Sequence, residues 1–270
     1  MLGLGNGIVS ANAIDTGYIN THSFSLDGTG DYIDTNATMQ STMQSANGHT
    51  WGIWFRPEDV SGLQVLFGSR DSNFSAGQFL IYINNTNFAG LYRALNNSGV
   101  GQFEGWTLLS TTTPAFVATA NKWHGLWVST DVSGTNIVVK TYFIIQDVNS
   151  LQVHTETTVM SSESMQNIQM DNNILVGAYN NDGSAIYHFN GQIDQVCVWN
   201  KNLSAQEIGA LSANPNADYS TDFIDGYAAS SNLVHYYQAD NNVIDLGSGS
   251  SNATLVNDAT FKTDNIPITT

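Results

Sequence analysis

Residues His188–Leu211, HFNGQIDQVCVWNKNLSAQEIGAL, read as one long strand, a tight corner and a single capped helix. Ile193, Val196 and Val198 are interrupted by Asp194, Gln195 and Cys197, and Trp199 closes the run. Such interleaving of apolar and polar residues is the pattern of a strand with one face in a core. Asn200, Lys201 and Asn202 supply the turn. Ser204 and Glu207 stand three apart, the spacing of a capping box: the serine hydroxyl accepts from the Glu207 amide and the glutamate reaches back to the Ser204 amide. Leu203 before the cap and Ile208 just inside it form a hydrophobic staple.

Three further blocks lie upstream in the chain. His22–Ile33, HSFSLDGTGDYI, is a hydrophobic strand that turns at DGTGDY, with a strand partner beyond the turn. His49–Pro57, HTWGIWFRP, is a strand ending at Arg-Pro, and Lys122–Asp131, KWHGLWVSTD, is another strand. In this order, over residues 22–211, the four blocks resemble the concanavalin A-like lectin/glucanase superfamily, in particular its laminin G-like branch. The resemblance implies an all-β fold, an antiparallel two-sheet jelly-roll sandwich with one short helix. That fold hosts both sugar binders and sugar-cutting enzymes.

Composition agrees with a large sandwich. The chain has 270 residues, 41% hydrophobic, with 24 Gly against 4 Pro, which suits many tight turns. Only 11% of residues are charged, against ~25% in ordinary domains, so the surface is made of Asn, Ser, Thr and Gln. Seven basic residues against 23 acidic ones leave a formal charge of −16. Phosphate backbones and anionic membranes repel such a surface, and no Lys/Arg run offsets it, which excludes nucleic acid as a partner. No stretch approaches the ~20 apolar residues of a membrane helix, and MLGLGNGIVSANAIDTG lacks the basic region and apolar core of a secretory signal. A single cysteine, Cys197, rules out an intrachain disulfide, and its slot between Val196 and Val198 suits a small core residue.

Strand candidates fall at 22–27, 50–56, 63–68, 78–83, 88–95, 105–110, 123–130, 136–145, 152–159, 173–178, 185–189 and 192–199, separated by Gly, Asn, Asp and Ser clusters. Residues 1–20 read as an extended N-terminal arm, 21–212 as the sandwich and 213–270 as a C-terminal extension packing on the sandwich or on a neighbour. Leu233–Asp240, Asp245–Ser250 and Ala253–Phe261 resemble a segment that recurs beside laminin G-like domains in virion-associated proteins of tailed bacteriophages, and the opening MLGLGN resembles the same group. These likenesses imply a virion location, with other virion subunits or further copies of the chain as partners.

The chemistry-bearing motifs are few. Glycoside hydrolysis needs two carboxylates flanking the scissile bond, and glucanases of the superfamily supply them as E-x-D-x-E or E-x-D-x-x-E. Glu58, Glu104, Glu156, Glu163 and Glu207 form no such group, which leaves only an atypical Asp pair for a hydrolase. There is no G-x-S-x-G nucleophile motif, and the six histidines show no zinc spacing. Calcium wants six to eight oxygens. Asp27 and Asp31 flank a sharp turn, and the resemblance places Asp194 against it. The three are candidate calcium ligands, or else Asp31 and Asp194 accept backbone amides at turns. Trp51, Trp54, Trp123, Trp127 and Trp199 sit in strand patterns and are expected in the core. Tyr92, Phe103 and Trp106, around the polar segment 96–102, are candidate glycan-stacking residues, with Tyr92 and Trp106 fitting a core role equally well. Asn180–Gly183 is a second polar loop. The expected function is a non-enzymatic virion structural or adhesion protein able to bind surface glycans; the alternative is a free, calcium-dependent carbohydrate-binding module.

Overall fold

The computed structural model of the chain describes residues 20–74, 76–85, 87–95, 101–108, 117–131, 137–146, 151–158, 167–223, 226–263 and 267; for most strand residues over 88–108 and some over 137–158 it describes the backbone alone. The expected arm, but for Asn20, lies outside the described residues. Two mostly antiparallel sheets face each other. The first runs β10 (Gln152–Thr158), β9 (Ile137–Ile145), β8 (His124–Asp131), β3 (His49–Pro57), β14 (Asn190–Trp199), β1 (His22–Asp27), β17 (Thr260–Thr263), with β15 (Leu233–Tyr237) also on β14. The second runs β16 (Thr254–Val256), β2 (Tyr32–Asp34), β11 (Leu175–Val176), β4 (Leu63–Arg70), β5 (Gly77–Asn84), β6 (Asn87–Leu95), β7 (Gly101–Leu108); β12 (Tyr179–Asn181) and β13 (Ser184–Ile186) form a hairpin beside β4. Among the described residues, α2 (Ala205–Ala213) is the one α-helix longer than the single turn α1 (Gln40–Met43). The architecture is the expected jelly-roll sandwich.

Alternation along the strands divides the apolar residues between two cores. Trp51, Ile53 and Phe55 of β3, and Ile193, Val196 and Val198 of β14, point between the sheets, where they meet Phe67, Phe79, Ile81 and Phe143. Trp54, Cys197 and Trp199, on the opposite faces of the same strands, join Trp123 and Trp127 in a second core outside the first sheet. Leu203, the helix α2 with Ile208 and Leu211, and the flanking Tyr219, Tyr227 and Tyr236 cover it. Ser204 caps α2 as expected: its side chain accepts from the Glu207 amide, and Glu207 Oε2 accepts from the Ser204 amide at 2.8 Å. Leu203 and Ile208 are both fully buried in the second core, each burial worth about 1.5–3 kcal/mol. Cys197 is buried, its thiol directed at the Gln195 carbonyl and its pKa pushed up by desolvation, as befits a core residue.

One feature departs from the sequence reading. The DGTGDY turn does not join a hydrogen-bonded strand pair. β1 belongs to the first sheet and β2 to the second, so the turn is a corner between layers. Gly28 and Gly30 take φ of 78° and 90°, which residues with a Cβ rarely adopt. The C-terminal extension contributes strands to both sheets of its own chain. β15 pairs with β14, β16 with β2 and β17 with β1, so β15 continues the line of β1 along one edge of β14. Between the two, β14 bulges at Asp194–Cys197, with Gln195 at φ 49°.

Candidate functional site

The hairpins of the second sheet bring several polar connections to one end. β4 and β5 are joined there by residues 71–76, and β6 and β7 begin and end their connection at the same end. Gly77 opens β5 because the Gln169 carbonyl oxygen lies only 1.6 Å from where a Cβ would stand. This close approach lets residues 167–171 run against the β4–β5 connection, and the Gln169 amide donates to the Ala76 carbonyl at 3.1 Å. The turn α1 closes the far side: Gln40 Oε1 accepts from the Met170 amide at 2.8 Å and Gln44 Nε2 donates to the Ile168 carbonyl at 2.7 Å.

The recess so formed has a volume of about 380 Å³ and is lined by Gln40, Gln44, Asp71, Asn167, Gln169, Met170 and Asp171. Four side-chain amides and two carboxylates make it a hydrogen-bonding cavity of saccharide size. Asp171 is fixed by the Ser72 amide at 2.8 Å and the Ser72 hydroxyl, which hold its carboxyl below the usual range. Burial, with the neighbouring charge of Asp171, pushes the Asp71 carboxyl up. Alongside, Arg70 pairs with Asp182 at 3.7 Å and lies 5.4 Å above the half-exposed ring of Phe74. Asn172 links the Arg70 carbonyl to the Asp171 carboxylate. The Asn180–Gly183 loop noted in the sequence therefore stands beside this cluster. Gln40, Gln44, Asp71, Gln169 and Asp171 carry no local sequence signal, because three distant segments bring them together.

The candidate calcium ligands are not assembled into one site. Asp27 and Asp31 share the corner, where Asp27 Oδ1 accepts from the Thr29 amide at 2.6 Å and Asp31 accepts from the Asp27 and Asp258 amides at 3.2 and 2.9 Å. Asp194 lies four positions along β14 from Asn190, the residue opposite Asp27, roughly 13 Å away at strand rise. It is fully buried at the bulge, accepting from the Gln195 amide at 2.7 Å and Asn20 Nδ2 at 2.8 Å, and desolvation raises its pKa well above the usual carboxylate range. The aspartates act where they stand as acceptors of backbone and side-chain amides. Among the described residues no three His, Cys, Asp or Glu side chains group as metal ligands.

Tyr92, Phe103 and Trp106 sit on β6 and β7, where their side chains lie outside the described residues. Register alone separates them. Tyr92 opposes Phe79, and Trp106 opposes Gly90, itself opposite Ile81, so both occupy the row that includes the inter-sheet core. Phe103 opposes Arg93, which opposes Gln78, and falls in the outward row. Trp51, Trp54, Trp123, Trp127 and Trp199 are all buried, as expected. No described helix is long and apolar enough to cross a membrane.

Residues 27–209 match the sequence pattern of the concanavalin A-like lectin/glucanases superfamily. No curated protein is significantly similar in sequence. The fold is similar to the CBM40 module of Ruminococcus gnavus IT-sialidase, at 16% identity over 70% of this chain and 95% of that one, TM-score 0.51. The same module bound to alpha2,3 sialyllactose aligns with a TM-score of 0.50 at 16% identity, over 72% of this chain and 98% of that one. A Bacteroides ovatus protein assigned to carbohydrate binding aligns over 93% of this chain and 62% of its own, at 12% identity and TM-score 0.53. At these identities the likeness is one of fold.

Proposed function

The chain belongs to the concanavalin A-like lectin/glucanases superfamily, and from that premise we propose that it is a non-catalytic carbohydrate-binding module that acts by contact. The observation that carries the reading is the recess of about 380 Å³ in which side-chain amides and carboxylates converge on a lectin-like sandwich. Amides and carboxylates orient sugar hydroxyls by directional hydrogen bonds, and the half-exposed Phe74 offers an apolar face in the adjoining turn. A hydrolase would need two carboxyl groups ~5 Å or ~6.5–9.5 Å apart. Asp71 and Asp171, the carboxyl pair in the recess, stand within hydrogen-bond reach of each other, too close to flank a glycosidic bond. The test is a glycan array probed with the whole chain, repeated with Gln169→Ala and Gln40→Ala. Binding to a defined set of glycans, weakened about tenfold or more in the variants, supports the reading; an array without hits, or variants that bind as the parent does, overturns it.

The finer reading is an adhesion or accessory component of a virus particle. It rests on the resemblance of residues 233–261 and of the opening MLGLGN. It is supported by two large apolar side chains left half-exposed on the extension, Ile244 and Leu246, a surface able to meet a neighbouring subunit. Imaging of the native particle at residue resolution tests it. A symmetric array contacting through residues 1–20 or 240–250 agrees with it, and absence of the chain from the particle refutes it.

A further inference from the structure

We propose that the recess selects uncharged saccharides and rejects chains ending in a carboxylate sugar, with Asp71 and Asp171 as the residues that set this specificity. The proposal rests on the glycan-binding reading and names the ligand class of that same site. Its first support is the lining. The polar groups of the recess are four amides and two carboxylates, and none of its described lining residues is basic. Gln40 and Gln44 each give one amide atom to the wall, Oε1 and Nε2 respectively. Each retains a complementary group of opposite hydrogen-bonding sense, Nε2 of Gln40 and Oε1 of Gln44. That pairing suits a hydroxyl, which donates and accepts, and gives a carboxylate one donor against one acceptor.

Charge is the second support, and sequence extends it beyond the described side chains. Residues 1–55, 71–92 and 141–200 contain no Lys or Arg. The segments that build the recess, 40–44, 71–77 and 167–171, therefore have no cation to lend it. The nearest by sequence, Arg70, faces Asp182 and packs over Phe74. Among the described side chains, Asp71, Asp171 and Asp182 thus set three carboxyl groups against the one guanidinium of Arg70. A glycan carboxylate entering here would be desolvated beside like charges, whereas the hydroxyls of a neutral sugar would donate to Asp71 and Asp171 in charge-assisted bonds.

The experiment is titration calorimetry of the whole chain with a neutral glycan that binds on the array and with the same glycan carrying a terminal sialic acid. The expected result is affinity for the neutral form and about tenfold or greater weakening by sialylation. That gap narrows in 0.5 M salt, because only the charged ligand is subject to screened repulsion. In Asp71→Asn/Asp171→Asn, which keeps an acceptor oxygen at each position, the gap narrows without added salt. Should that variant fail to fold, the salt series on the native chain still decides. Sialylated glycan bound as tightly as the neutral form, or more tightly, overturns this specificity and leaves glycan binding standing. Failure of every glycan of either kind overturns the glycan-binding reading and this inference with it.

Discussion

Replacing His124 by Gln isolates the acid sensitivity of the core. His124 is fully buried, its ring stacked between Phe55 at 5.1 Å and Phe143 at 5.5 Å, with Nε2 accepting from the Thr119 amide at 3.0 Å. Desolvation is the main cause that pulls its pKa from 6.5 to about 3, and the charge of Lys122 works in the same direction. The unfolded chain therefore binds a proton that the folded chain refuses, and stability falls as pH drops from 6.5 toward 3. At pH 5 the unfolded imidazole is nearly all charged and the folded one nearly all neutral. At about 1.4 kcal/mol per pH unit below 6.5, that is a loss of about 2 kcal/mol, growing to about 3 kcal/mol at pH 4. Total stability is on the order of 5–15 kcal/mol, so the effect is large. Asp194 titrates in the opposite sense over part of this range, and its contribution cancels when wild type is compared with His124→Gln, which retains an acceptor for Thr119. Urea unfolding followed by tryptophan fluorescence, at pH 7.5, 5 and 4, reads the difference. The advantage of wild type over the variant should shrink by about 2 kcal/mol between pH 7.5 and 5. A difference that stays constant with pH refutes the argument.

Three further outcomes are expected. In Asp194→Asn the buried carboxyl, whose pKa is raised in the folded chain, no longer has an ionised state; wild type loses stability as pH climbs above the ordinary carboxylate value toward its raised one, so the variant should gain on wild type from pH 5 to pH 8, and a pH-independent gap in urea midpoints contradicts this. Ser204→Ala removes the acceptor for the Glu207 amide and should cost about 1 kcal/mol by the same assay, with no loss arguing that the cap is idle. Deleting residues 233–270 removes β15, β16 and β17, together with Leu233, Tyr236 and Tyr237 from the two cores. The shortened chain should show no cooperative thermal transition, and a sharp one would mean that the sandwich stands without its extension.

The interleaving of Ile193, Val196 and Val198 identified the strand but not its irregularity. Strict alternation would place 193, 195 and 197 on one face, so the jump from 193 to 196 required an extra residue, and the bulge at Gln195 supplies it. The capping box and the tryptophans were legible for similar reasons, since each is decided by neighbours one to four residues away. The DGTGDY corner was read as a strand pair because a tight glycine turn has the same local chemistry whether it reverses within one sheet or passes to the other. Asp27, Asp31 and Asp194 looked convergent by family likeness, yet Asp27 and Asp31 share the corner between β1 and β2 while Asp194 lies four positions along β14 from the residue opposite Asp27. The recess had no local signature. Gln40, Asp71 and Asp171 come from three segments, and their meeting depends on Gly77 admitting the Gln169 carbonyl. Of that end of the sandwich, only the Asn180–Gly183 loop showed its character in sequence.

The place of β1 constrains how this chain can be made. His22–Asp27 lies between β14 and β17, with neighbours drawn from residues 190–193 and 260–263. One of the first described strands must therefore wait for one of the last before either of its edges is complete. During synthesis both layers would remain unfinished until residues 260–263 had emerged, with Phe24 and Leu26 open to other chains. Closure of the two layers thus waits on residues 233–263, and a slow-translating stretch just ahead of them would lengthen the time the earlier strands stay bare.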